Sequence, residues 1–355
     1  MLLITVTIMV AGCSNPGTAS RDRAAASPSP GNSASASRFA VIGSKGPVIG
    51  VNLYALSNYP AAQVRADGAR TLSYIRNVLH AEAVDIVWDF YAPSRGSDEV
   101  NATASSLSPS NVAILTRMAQ QDHLLVEYRP LIMIDDSEPW EGYIVPTDPA
   151  SWFANYYQRE LPYLRVAQQY GINEFVAATE MKAMNGNPLW PPFLAALGNI
   201  FHGVISYSAY QADYFSPADT LLPIRYLGMD MYEDIHLPPT ASASQVTAAW
   251  ESFFARLPAA TLRATAIDET GIAARDGAYT KPSLLGPAGT LNPAIQANWF
   301  TAACHTVRKY HLRAVFFWKV DLTDYPISHP AWSLSTFEGK AGAQAISLCA
   351  SILRG

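Results

Sequence analysis

Two apolar runs in this chain end on a glutamate. One reads Phe175-Val176-Ala177-Ala178-Thr179-Glu180, the other Ala264-Thr265-Ala266-Ile267-Asp268-Glu269 before Thr270-Gly271. Two more runs end in aromatics, Gly228-Met229-Asp230-Met231-Tyr232 and Phe316-Phe317-Trp318. If these four ends converge, they supply what cleavage of a glycosidic bond requires. One carboxyl group protonates the leaving oxygen while the other attacks the anomeric carbon. Trp and Tyr faces stack on the apolar side of a sugar ring. A tyrosine hydroxyl beside the attacking carboxylate can fix its orientation. Taken alone, either glutamate reads equally well as a strand-end residue in a salt bridge; the joint pattern is what points to chemistry.

The elements that must position these residues follow from the alternation of the sequence. Short β-branched or aromatic runs occur at Val48–Tyr54, Val84–Tyr91, Leu124–Ile134, Glu174–Glu180, Gly203–Ala209, Tyr226–Tyr232, Ala264–Glu269 and Ala314–Lys319. Helical patterns lie between them, among them Gln63–Leu79, Ser110–Gln121, Trp152–Tyr170, Ala243–Leu257 and Pro293–Tyr310, with a last one over Leu334–Leu353. Such alternation predicts βαβ units and a parallel sheet. Ser108-Pro109 and Asp148-Pro149 have the form of helix entries, and Tyr170-Gly171 and the proline after Leu257 that of helix stops. Eight strands over roughly 300 residues fit a single-domain α/β chain, a (β/α)8 TIM barrel. A dinucleotide-binding sheet would need a glycine-rich turn after the first strand, and Val51-Asn52-Leu53-Tyr54-Ala55-Leu56 has none. In a TIM barrel the working residues stand at the C-terminal ends of strands, here Glu180 on the fourth and Glu269 on the seventh.

That placement, and a set of short motifs in order, resembles the large clan of retaining (β/α)8 glycoside hydrolases, and within it glycoside hydrolase family 113. The motifs are Arg129-Pro130, Trp140-Glu141-Gly142, Trp152-Phe153 with Tyr156, Ala178-Thr179-Glu180, Ile205-Ser206-Tyr207-Ser208-Ala209, Leu227-Gly228-Met229-Asp230-Met231-Tyr232, Asp268-Glu269-Thr270-Gly271, Gln296-Ala297, Phe316-Phe317-Trp318 and Gly339-Lys340-Ala341. The resemblance runs from Pro47 to the C-terminus, and the family's characterised members are β-1,4-mannanases. It implies Glu180 as acid/base, Glu269 as nucleophile, Tyr232 as the tyrosine beside the nucleophile and Trp318 as a sugar platform. Trp140, Arg129, Tyr207 and Asp230 from these motifs, with Asn52 and Trp88 from the ends of the first two strands, complete the expected substrate-binding set; Asn52 and Trp88, like Tyr54 beside them, read equally well as packing at the barrel top. The chain departs from the family pattern at Ala178, where glycine is expected, at Arg129, where lysine is expected, and at Glu141, where arginine is expected. The last reverses a charge at the expected mouth and bears on mannan specificity.

The ends and the composition frame the rest. Leu2–Gly12 is an apolar run ending Val10-Ala11-Gly12-Cys13. It is shorter than the roughly 20 residues a spanning helix needs, and it resembles a lipoprotein signal with Cys13 as the acylated residue, although no Lys or Arg precedes it. Residues 1–13 are thus read as a signal peptide, 14–38 as a disordered leash rich in Ser, Ala and Pro, and 39–355 as the catalytic domain. The expected location is extracytoplasmic, on the membrane through the lipid. Cys304 and Cys349 fall in the last two expected helices, where an oxidising compartment permits either a disulfide or two buried thiols. With 24 Lys and Arg against 29 Asp and Glu, the net charge is −5 and no basic run marks a nucleic-acid face. No His, Cys or carboxylate cluster has metal-ligand spacing, and no Gly-x-Ser-x-Gly supports a serine nucleophile. The expected partners are therefore a polysaccharide or oligosaccharide substrate and the membrane, with no metal or cofactor and a monomeric domain. The competing class is an inactive glycan-binding lipoprotein on the same barrel.

Overall fold

The computed structural model describes residues 39–135, 140–216, 224–284, 289–323 and 336–355. The expected signal peptide, leash and acylated Cys13 lie outside the described residues, as does Leu334.

Eight parallel strands close into a barrel in chain order. They are β1 (Val48–Tyr54), β2 (Ala83–Ala92), β3 (Leu125–Ile134), β4 (Glu174–Thr179), β5 (Val204–Tyr210), β6 (Tyr226–Asp230), β7 (Thr265–Thr270) and β8 (Ala314–Asp321). The helices are α1 (Ala61–Asn77), α2 (Pro109–Gln121), α3 (Pro149–Tyr170), α4 (Trp190–Gly198), α5 (Ala243–Phe254), α6 (Ala259–Ala264), α7 (Pro293–Tyr310) and α8 (Ala341–Arg354). The expected TIM barrel is thus the observed one.

Local chemistry sets the boundaries. Ser108 and Asp148 cap α2 and α3 by accepting backbone N–H groups, each ahead of a proline in the first turn, and Gly171 ends α3 at φ 62°. The helix expected over Ala243–Leu257 is α5, which ends at Phe254, and Pro258, the expected stop, precedes a further short helix, α6. The last helix starts at Ala341, later than the sequence pattern suggests, after Gly339 turns the chain at φ 68°.

The core has two parts. Outside the barrel, strand residues such as Trp88, Phe90, Phe175 and Phe317 pack under the helices. Inside, Ile42, Val48, Ala83, Ala266, Ala314 and Phe316 plug the end at which the strands begin. Above that plug the barrel turns polar. Cys304 of α7 and Cys349 of α8 form a disulfide with Cα atoms 5.5 Å apart, which ties the closing helix to its neighbour.

Candidate active site

The barrel interior is organised around one cation. Arg129, on β3, is fully buried and donates through Nε to Asp85 (2.8 Å), through Nη1 to Asp230 (3.0 Å) and Ser208 (3.2 Å), and through Nη2 to the Asp268 carbonyl (2.6 Å). Asn52 donates to the same Asp85 oxygen (2.8 Å) and the same Asp268 carbonyl (3.0 Å), locking β1 to β2 and β7. Burial pushes the Asp85, Asp230, Glu127 and Asp268 carboxyls upward, and the guanidinium pulls each of them back only in part. Gly228 makes the packing possible, since a Cβ there would stand 1.5 Å from Asp268 Oδ2.

Glu269 stands on this platform. Tyr232 donates to Oε1 at 2.6 Å, Tyr54 donates to Oε2 at 3.0 Å, and Arg129 Nη1 lies 3.8 Å from Oε2. The carboxylate is held from both sides and keeps one approach open toward the cleft. Burial, aided by the negative charge of Asp230, pushes its pKa up to about 7, against the pull of Arg129 and the two phenols.

Glu180 faces it from the end of β4. Its backbone has φ 47°, a left-handed conformation that costs energy for a residue with a side chain, and such outliers cluster where function over-determines geometry. The turn is fixed by Glu180 N–H donating to the Ser208 carbonyl (2.7 Å) and Lys182 N–H donating to the Glu180 carbonyl (2.6 Å). The Trp140 indole N–H donates to Glu180 Oε2. That indole is braced edge-on by Tyr143 and Tyr210, and Gly142 leaves room for it, since a Cβ there would lie 2.5 Å from the ring. Burial first, then the charges of Asp230, Glu141 and Glu269, hold the Glu180 carboxyl well above its ordinary value. The two carboxyls sit in different surroundings: Glu269 is held by two phenols and Arg129, which favour its charge, whereas Glu180 has burial and three negative neighbours against its charge and one indole N–H for it.

Between them opens a cleft of about 470 Å³ lined by Trp140, Glu180, Tyr210, Tyr232, Glu269, Ser283 and Trp318. It has apolar aromatic walls and a carboxyl pair at the centre.

A model of glycoside hydrolase family 113 matches residues 67–334. The chain belongs to glycoside hydrolase family 113. Solved structures agree on the fold. A GH113 β-1,4-mannanase complex superimposes with a TM-score of 0.70 at 15% identity, covering 86% of this chain and 99% of that one. The GH113 β-mannanase AaManA from Alicyclobacillus acidocaldarius, in complex with ManMIm, gives 0.70 at 15% identity over 88% and 99%. A GH5_18 protein from Streptomyces cattleya in complex with GlcNAc gives 0.56 at 14% identity over 87% and 80%. A search of curated protein sequences finds no match.

Within this family 113 site, the sequence-predicted residues divide by strand pleat. Trp140, Tyr232 and Trp318 line the cleft with the two glutamates. Arg129, Asn52 and Asp230 lie buried beneath it: Arg129 reaches Glu269 directly, Asp230 accepts from Arg129, and Asn52 shares the Asp85 and Asp268 partners of Arg129. Trp88 and Tyr207, expected to bind substrate, point the other way. Side chains alternate along a strand, so the inward Asp85 and Ser208 force Trp88 and Tyr207 outward. Trp88 stacks on Tyr163 of α3 at 4.4 Å and Tyr207 packs edge-on against Trp190 of α4. Sequence reasoning missed the role of Tyr54 as second donor to Glu269, and it missed Tyr210 and Ser283 in the cleft wall. Tyr54 and Tyr210 both end strands, which was the available signal. Glu141 is half-buried, and burial together with Glu269 and Asp230 pushes its pKa up to about 8.

Proposed function

We propose that this glycoside hydrolase cleaves a β-1,4-linked mannan by double displacement with retention of configuration. The carrying observation is the Glu269 carboxylate gripped by Tyr232, Tyr54 and Arg129 across one cleft from Glu180, whose carboxyl burial pushes upward. In the first step Glu180 gives its proton to the glycosidic oxygen as the Glu269 carboxylate bonds to the anomeric carbon and the leaving sugar departs. In the second, Glu180 takes a proton from water, the water oxygen bonds to the anomeric carbon, and the Glu269 ester bond breaks. Trp318 and Trp140, both in the cleft wall, supply aromatic surface on which sugar rings can stack. The mannan reading is supported by the family and by the mannanases among the structural relatives. Nothing in the site favours an inactive glycan-binding role, since both carboxyls are present and line one cleft.

We further propose that the enzyme works outside the cytoplasm, tethered through an acylated Cys13. The Cys304–Cys349 disulfide supports an oxidising compartment. Activity is tested by product analysis on β-mannan, glucomannan, β-glucan and envelope glycans. Mannan cleavage with no turnover by Glu180→Ala or Glu269→Ala fits the proposal, and cleavage of another glycan alone revises the substrate. Palmitate labelling that disappears in Cys13→Ala tests the anchor.

A further inference from the structure

In a parallel barrel the turns leading from helices into strands share one face, opposite the cleft. On this chain that face is basic. Lys45 precedes β1, Arg225 precedes β6, and Arg76, Arg263, Arg308 and Arg354 close α1, α6, α7 and α8. Among the described residues none of the six is ion-paired, whereas Arg313 and Lys309 on the same face are paired with Glu174 and Glu251. Among the described residues of that face, Glu82 and Asp122 are acids without an ion pair. The chain as a whole has net charge −5, so positive charge is concentrated at the base while acids gather at the cleft.

Complementing helix dipoles accounts for arginines in last turns, but not for Lys45, for Arg225 or for the histidines. The turns after α1, α2 and α7 pass through His80, His123 and His311 at φ 57°, 59° and 55°, all exposed, where Gly171 does the same for α3 without the side-chain penalty. Two recesses lie side by side on this face, of about 680 and 510 Å³, sharing Arg76, Glu82 and Arg354; His80 and Ser351 line the first, Lys45 and His123 the second. The described chain also starts here. Phe39 packs edge-on against Phe201, and Asn173 and Arg313 donate to the Ala40 and Ile42 carbonyls. The residues before it cannot neutralise the face, because 14–38 carry Arg21, Arg23 and Arg38 against Asp22 alone.

We propose that the base of the barrel is an electrostatic docking surface for anionic phospholipid headgroups, seating the domain base-down with its cleft turned away from the bilayer. The setting rests on the tethered reading above, but the contact itself does not need the anchor. Each basic side chain near an anionic surface raises partitioning about fivefold, within a Debye length of about 8–10 Å.

The test is cosedimentation of residues 39–355, which contain the whole closed barrel and its core, with phosphatidylglycerol–phosphatidylcholine vesicles and with pure phosphatidylcholine vesicles. Binding to the anionic vesicles alone is expected, lost when salt shortens the Debye length to about 3 Å. The double variant Lys45→Glu/Arg354→Glu changes four charges and should weaken binding more than a hundredfold, by about fivefold per charge. Arg65→Glu/Arg117→Glu, the same charge change on exposed flank positions of α1 and α2, should bind nearly as the parent does. Equal binding to neutral vesicles, no binding to anionic ones, or equal losses in the two double variants overturns the proposal. Circular dichroism checks that all forms are folded. Failure here leaves the Cys13 anchor standing, and failure of acyl labelling leaves this face standing.

Discussion

Glu269→Gln keeps the shape of the side chain and removes its charge, so it measures what the fold gives up to hold a nucleophile in place. Glu269 has an ordinary value of 4.5 and is raised to about 7 in the folded chain. The folded state therefore binds more protons than the unfolded state between those values, and stability falls as pH rises through that window. At about 1.4 kcal/mol per pH unit, the loss accumulates to about 3 kcal/mol by pH 7 and then levels off. The glutamine avoids that loss. It can accept from Tyr232 or Tyr54 through its one carbonyl oxygen, but not well from both, which costs about 1 kcal/mol. The variant should thus be about 1 kcal/mol less stable than the parent at pH 4 and about 2 kcal/mol more stable at pH 8. For a domain of roughly 300 residues the gain at pH 8 is about 3 °C in melting temperature. Calorimetry of both proteins from pH 4 to 9 checks it. Parallel curves with no crossing between pH 4.5 and 7 would mean that Glu269 is not held in a charge-disfavouring site, and the argument for its tuning would fail.

Catalysis needs Glu269 ionised and Glu180 protonated, so kcat/KM should rise through a pKa of about 7 and fall on an alkaline limb set by the raised Glu180; an acidic limb near 4.5 would contradict this. Glu141→Gln removes a negative neighbour of Glu180, and the alkaline limb should move to lower pH while the acid variant's loss of activity stays as it was. Glu141→Asp should leave the limb close to the parent's. Removing the disulfide with Cys349→Ser opens a cross-link that spans 45 residues. Loop entropy puts the destabilisation at about 4 kcal/mol, or about 6 °C, with the cleft chemistry preserved; a change under 1 °C would show that the bridge adds nothing.

What could be read from the sequence was the layout along the chain. Long apolar runs ending in Glu180 and Glu269 carry both their strand character and their polar termini, and proline and capping residues mark where α2, α3 and α7 begin. Pleat parity was the harder matter. Asp85, Val87 and Asp89 alternate with Ile86, Trp88 and Phe90, and that even spacing of acids indicates that Trp88 faces the helices; its nearness to a strand end suggested otherwise. Arg129 illustrates a different limit. Its position in the strand motif Arg129-Pro130 gave its register, but only the closed barrel brings Asp85, Asp230 and Asp268 around it from three other strands. Such convergence depends on contacts between residues as many as 139 positions apart, which no local pattern records.

The central claim is that Glu269 attacks the sugar. An activated 2-deoxy-2-fluoro-β-mannosyl substrate slows the second step and lets the glycosyl-enzyme ester accumulate. Digestion of the trapped protein and mass spectrometry then locate the sugar. The account predicts one label, on the peptide bearing Glu269, with none formed by Glu269→Gln and a product released in the β configuration. A label on another residue, or an α product with no trapped ester, would contradict it.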